Sequence, residues 1–192
     1  MNDLLIFFFM IIVSLIVINK FNQNKNIILI KSKIDNRKYL VRKEKNSQEA
    51  ADKLANINIK IQKIIDHASS QEREHIELLK DNYNPDALSE TIPGSKYTSY
   101  SVNKGEKISI CIRQSDKIFM DDNTILFVVI HELAHVMTIS TGHTEEFWNN
   151  MKFLLEQAET INIYVPIDYS QNNTEYCGMM ITSTPYDFKN KK

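Results

Sequence analysis

The sequence predicts an α+β domain: a small antiparallel or mixed sheet packed on one buried helix with flanking helices, preceded by a separate apolar helix at the amino terminus. Three observations predict it. Residues 47–69 carry apolar side chains at three- and four-residue steps, short stretches near 31–42 and 97–113 favour strands, and residues 121–140 form an apolar run with helix-capping residues in front.

Residues 4–18 are apolar except for Ser14, and with Phe21 the stretch nears the roughly 20 residues that cross a bilayer as a helix. Asp3 is the only charged side chain before it and no small-residue cleavage site follows, so an uncleaved anchor over residues 1–21 is expected. Lys20, Lys25, Lys31, Lys33, Arg37 and Lys38 all follow the run. The positive-inside rule then predicts a single-pass membrane protein with its carboxyl-terminal domain on the cytoplasmic side. Residues 22–46 read as a basic juxtamembrane segment with one or two short strands, its cations suited to anionic headgroups.

The main domain is expected over residues 47–192. Ala50, Leu54, Ile57, Ile61, Ile64, Ile65 and Ala68 form the inner stripe of its first helix, with Ser47 as N-cap. His67 and His75, near the end of that stripe and just beyond it, read as solvated. Pro85, Pro93 and Gly94 mark turns, and Asn103-Lys104-Gly105 reads as a hairpin tip pairing residues 97–102 with 107–113. Ile108, Ile110 and Ile112 alternate with Ser109 and Cys111, so 107–113 is a half-buried strand and is expected at the sheet edge. An extended peptide could add to such an edge through main-chain hydrogen bonds.

With 23 Lys+Arg against 24 Asp+Glu the net charge is −1, which gives no basic field for nucleic acid and no acidic excess for disorder. Cys111 and Cys177 cannot build a disulfide framework and read as buried free thiols, with a single disulfide as the alternative.

The chemistry is concentrated in "VIHELAHVMTISTGHTEEFW", residues 129–148. Asp121, Asp122, Asn123 and Thr124 are N-cap types and Gly142 suits a C′ position, so the β-branched run at 125–130 reads as helix. On a helix His131 and His135 lie one turn apart, within roughly 40° of each other. Two imidazoles so placed can share one metal ion at about 2.0–2.1 Å. Glu132 projects beside the ion as a general base, taking a proton from water that zinc has acidified and giving it to a leaving amine. His143, beyond Gly142, can complete a three-histidine site with one open position; Glu156 or Glu159 on the next helix is the alternative third ligand. Thr144 caps that helix, with Glu145 and Glu146 in its first turn and Phe147, Met151, Leu154, Leu155 and Ala158 on its inner stripe. Phe147 and Trp148 read as packing residues.

At these residues the sequence resembles the zincin metallopeptidases, and "HELAH…GHTEEFW" is most similar to WLM/SprT-type minimal zincins. The resemblance implies a minimal zincin-like fold, a Zn2+ cofactor held by His131, His135 and His143, Glu132 as general base, and hydrolysis of protein or peptide substrates. The second and third histidines are eight apart, an apparent two-residue insertion in the ligand loop. Metzincins match less well, since Thr138 and Thr141 stand where their glycine and histidine would fall. The carboxyl-terminal stretch and "SKYTSYSVNKGEKI" resemble metallopeptidase-like proteins of large DNA viruses, which implies a virion or host-membrane location. Tyr164, Tyr169 and Tyr176 are candidates for stabilising an oxyanion. The competing function is a catalytically silent, metal-stabilised membrane or virion structural protein.

Overall fold

A computed structural model describes residues 2–24, 26–92, 94–114 and 118–188; in the first helix, α1 (Asn2–Asn24), it describes the side chains of residues 4–14 and 16. Those side chains are exposed, and they are apolar apart from Ser14. Among the described residues no helix is long and apolar enough to cross a membrane. The single-pass, cytoplasm-facing localisation expected from residues 1–21 is therefore withdrawn. The side chains of Lys20 and Lys25, used to orient that anchor, lie outside the described residues.

Five strands make one mixed sheet. β1 (Ile27–Lys31) and β2 (Lys38–Arg42) form an antiparallel hairpin, and β2 pairs in parallel with β3 (Leu88–Glu90). β3 pairs in parallel with β5 (Lys107–Ile110), which is antiparallel to β4 (Tyr100–Val102), giving the order β1-β2-β3-β5-β4. Residues 22–46 therefore supply two strands of the main sheet, and Tyr39 and Val41 of β2 are buried in the common core. The strand at 107–113 is shorter than its alternation suggested and lies inside the sheet; β4 holds the edge. The hairpin tip at Asn103–Gly105 is where the turn residues placed it.

α2 (Ser47–Ser69) presents Ala50, Leu54, Ile57, Ile61, Ile64, Ile65 and Ala68 to the core, as its periodicity requires. Its N-cap is Asn46; the Ser47 hydroxyl instead donates to the Arg42 carbonyl and accepts from the Glu44 N–H. α3 (Ile76–Asn82) follows. α4 (Asp122–Met137) is buried along most of its length, between the sheet and α5 (Glu145–Thr160). Asp121 caps α4 by accepting from the Thr124 N–H at 2.9 Å, so the β-branched run enters a helix despite its strand propensity. A small hairpin, β6 (Thr174–Tyr176) with β7 (Met179–Ile181), closes the chain against the start of β4.

Cys111 and Cys177 form a disulfide, which corrects the free-thiol expectation. The tip of the β6–β7 hairpin comes to the end of β5, bringing two Cα atoms 66 residues apart in sequence to 6.5 Å, within bonding reach. No spacing rule connects them; only the packed hairpin does.

Candidate metal centre and active site

α4 delivers His131 and His135 from consecutive turns, their ring centroids 5.0 Å apart. The helix then stops at Met137, five residues before Gly142, so Gly142 is not its C′ residue. Thr138 turns extended, and its hydroxyl donates to the Ala134 carbonyl at 2.7 Å and accepts from Asn150 at 3.1 Å. Residues 138–143 form a loop in which Gly142 adopts φ +84°, and His143 returns to the helix face. Its Nε2 lies 3.1 Å from His131 Nε2.

That loop is held from two sides. Lys104, at the β4–β5 tip, donates from Nζ to three successive carbonyls of the loop that follows α4, those of Thr138, Ile139 (2.7 Å) and Ser140 (3.4 Å). Glu146, in the first turn of α5, accepts from the Ile139 N–H (2.8 Å), the Ser140 N–H (3.2 Å) and the Ser140 hydroxyl (2.7 Å). The Ser140 hydroxyl bond, aided by the loop amides, holds its carboxyl below the usual range. Thr144 caps α5 through the Phe147 N–H, as the sequence indicated.

Phe147 is the floor of the cluster. It is fully buried, with its ring centroid 4.8, 4.3 and 4.7 Å from those of His131, His135 and His143. One ring thus fixes the orientation of three imidazoles.

The ligand-type nitrogens of His131, His135 and His143 all lie within 4.8 Å of one another. Two ligands at about 2.05 Å in tetrahedral geometry stand about 3.3 Å apart. The His131–His143 pair already has nearly that spacing, and closing the widest pair takes at most about 1.5 Å, shared between two rings. Protonation suits the same use. Burial, then the neighbouring imidazoles, pushes His131 down to about 3; burial, then His143 and Lys104, pushes His135 down to about 4. Both rings are neutral near pH 7, the form that ligates a cation. The donor set fits zinc.

Glu132 is buried beside this cluster, and burial raises its carboxyl to about 7, opposed in part by a hydrogen bond from the Ser101 N–H of β4. The edge strand therefore touches the acid directly. A cleft of about 430 Å³ opens on one side, between β4 and the ligand loop, and reaches His131, Glu132, His135 and His143. A second of about 360 Å³ opens on the other side of His131 and Glu132, toward the β6–β7 hairpin.

The other sequence candidates fall elsewhere. The Glu159 carboxylate accepts from the Tyr186 hydroxyl at 3.0 Å, and neither it nor Glu156 belongs to the metal-ligating cluster found among the described residues. Tyr164 and Tyr169 pack on Phe127 inside the core. Tyr176 lines the second cleft, but its buried hydroxyl is engaged by the Cys111 carbonyl and Ser99, both at 2.7 Å. Trp148, expected as packing, is 38% exposed and lines that cleft. Sequence reasoning missed Tyr97, Lys104 and the two methionines Met179 and Met180. The NKG turn signalled the position of Lys104, though not its grip on the ligand loop.

A WLM domain model matches residues 32–185. An uncharacterised protein of Acanthamoeba polyphaga mimivirus is 36% identical over 159 residues, 79% of this chain and 81% of that protein. One from Invertebrate iridescent virus 6 is 36% identical over 69 residues, 34% of this chain and 38% of its own length. Among solved structures, Wss1 from Saccharomyces cerevisiae aligns with TM-score 0.48 and 22% identity over 64% of this chain and 87% of that one. On the family match, which takes in all three histidines and Glu132, and on the mimivirus relative, the chain belongs to the WLM domain family of zincin-like metallopeptidases.

Proposed function

We propose that this chain is a zinc-dependent peptidase that hydrolyses peptide bonds in protein or peptide substrates, with His131, His135 and His143 as ligands and Glu132 as general base. The observation that carries the reading is the pairing of three converging, neutral imidazoles with a buried carboxyl tuned to about 7, all facing one cleft. Zinc bound there would supply Lewis acidity, making water nucleophilic near neutral pH and polarising the scissile carbonyl.

The protein's own groups do the rest. A Glu132 carboxyl that titrates near the working pH can accept a proton from the attacking water and hand it to the leaving amine. The Ser101 N–H holds that carboxylate in place. Phe147 fixes the rings and keeps water from behind them, while Lys104 and Glu146 keep the His143 arm closed. Among the described strands β4 pairs only with β5, so its other edge could receive an extended peptide beside Glu132.

Metal analysis and unbiased peptide profiling of the zinc-loaded chain, beside Glu132→Gln, test this. The variant is expected to keep one zinc and lose turnover. Equal cleavage by parent and variant would remove Glu132 from the mechanism. A zinc-loaded parent that cuts no peptide would leave the site a structural one.

A further inference from the structure

Among the described strands β6 and β7 pair only with each other, so side chains and one covalent bond fasten that hairpin to the domain. Most of these links meet at Cys111, the residue after β5. Its sulfur bonds Cys177, its carbonyl accepts from the Tyr176 hydroxyl at 2.7 Å, and its N–H donates to the Ser99 hydroxyl at 3.2 Å. Ser99 closes the circuit through a 2.7 Å bond to the Tyr176 hydroxyl, and the Thr98 hydroxyl donates to Met179 Sδ at 3.1 Å. Two residues beyond Ser99, the Ser101 N–H bonds Glu132. The hairpin and Glu132 therefore hang on the same short stretch, residues 98–101.

We infer that the Cys111–Cys177 bond is a redox latch. A small dithiol reduces it in the folded protein, the β6–β7 hairpin comes away from residues 98–101, and turnover falls until the bond re-forms. The effect on turnover rests on the peptidase reading above; the opening of the hairpin does not. The bond can be reached. Cys111 is 3% exposed, but Cys177 is only half-buried, and both line a cleft of about 200 Å³. That cleft is polar, with Thr91, Ser95, Thr98 and Gln114 in its walls, and its two cations, Arg42 and Arg113, pair with Glu90. Tyr97 lines it together with both clefts of the candidate active site. A thiolate of the dithiol attacks Sγ of Cys177, the more exposed cysteine, and expels the Cys111 thiolate, which takes up a proton. The second thiolate of the reductant then displaces the Cys177 sulfur, which is protonated in turn. Two electrons pass to the protein, and the reductant leaves as a cyclic disulfide; exchange with that disulfide form reverses the step. The Cys111 thiol finds an acceptor in place, because the Arg113 carbonyl oxygen lies 3.3 Å from each sulfur. Two thiols cannot stand at bonding distance, so one must retreat. Cys111 continues a strand inside the sheet, whereas Cys177 sits at the two-residue tip of the hairpin, so the hairpin moves. Cys177 has φ +50° beside Gly178 at +84°, a left-handed tip that favours Asn or Gly and that the cross-link helps to hold.

The test uses the full-length, zinc-loaded chain without denaturant. The protein is equilibrated in mixtures of reduced and oxidised dithiothreitol, its thiols are trapped by alkylation, and mass spectrometry counts them. Both thiols should appear together and vanish again when the mixture is made oxidising. Hydrogen exchange in the reduced protein should quicken by about tenfold or more over residues 98–101 and 174–181 and stay unchanged over α2. On a peptide that the parent cuts, kcat/KM should fall by about tenfold and recover on reoxidation. Dithiols also bind zinc, so the double variant Cys111→Ser/Cys177→Ser is run in parallel, with metal content measured. It should keep its zinc and turn over at the slow, reduced rate in both mixtures. Trapping and exchange on the parent need no variant, so they decide the matter even if the Ser pair fails to fold. Thiols that appear only in denaturant, unchanged exchange over residues 174–181, or quickening that reaches α2 would overturn the latch. So would an unchanged rate in the opened protein, or a Ser pair slowed by the dithiol as much as the parent is. Each of those results leaves the peptidase reading standing. If no peptide is cut in either mixture, the peptidase reading falls, and trapping with exchange still decides whether reduction frees the hairpin.

Discussion

Lys104→Met removes the ammonium that holds the ligand loop while keeping the aliphatic stem. Three carbonyls, those of Thr138, Ile139 and Ser140, lose their donor, and the half-buried site cannot fully replace it with water. Hydrogen bonds to charged groups are worth about 1.5–3 kcal/mol, and the weak 3.4 Å member adds little, so we take that range as the total for the grip. Glu146 still holds the amides of Ile139 and Ser140, so the loop should loosen without unfolding. If the loss falls on the arm that presents His143, zinc affinity drops by about 10- to 100-fold, since each 1.4 kcal/mol is about a factor of ten. Competition against a chromophoric chelator measures it, with Lys104→Arg as a partial rescue. An unchanged zinc Kd in a folded Lys104→Met protein would refute the idea that this lysine positions the third ligand.

Two further predictions concern stability. At Gly105, φ is +109° and an added Cβ would meet the Asn82 carbonyl oxygen at 2.7 Å and Val136 Cγ1 at 3.1 Å. Gly105→Ala should cost about 3 kcal/mol and lower Tm by roughly 6–12 °C in a thermal scan; a shift under about 2 °C would mean the tip relaxes freely. The metal-free protein should also be acid-sensitive. His131 and His135 titrate far below the free value of 6.5, so the unfolded chain binds more protons as pH falls below about 6.5 and stability is lost towards 3 to 4. Glu132 has the opposite sign, keeping its proton in the fold up to about 7 and losing that contribution as pH rises from 4.5. Two groups outweigh one, so stability should rise with pH across this window. Glu132→Gln should steepen the rise and stabilise the protein at neutral pH, as read from denaturant midpoints with chelator present.

Much of the site was legible because its logic is local. The four-residue step between His131 and His135 is a helical repeat, the caps at Asp121 and Thr144 lie beside the amides they satisfy, and α2 spans residues 47–69 because its stripe does. The glycine at 142 signalled a chain reversal, though not where the helix ends. The helix ends at Met137, and the loop after it is held by Lys104, which lies 34 residues from Thr138. The same distance problem hid the disulfide, the interior place of β5, the docking of the β6–β7 hairpin and the partial exposure of Trp148. At the amino terminus the apolar run suggested a membrane span, and no helix among the described residues is long and apolar enough to provide one.

By itself, then, the sequence determined the chemistry: which side chains could ligate, which carboxyl could move a proton, and that a helix would set two imidazoles one turn apart. Tertiary structure alone decided where those groups face. Strand order, the edge position of β4 and the docking of residues 174–181 depend on contacts between segments far apart in the chain, and such contacts are set by complementary packing that no local pattern encodes.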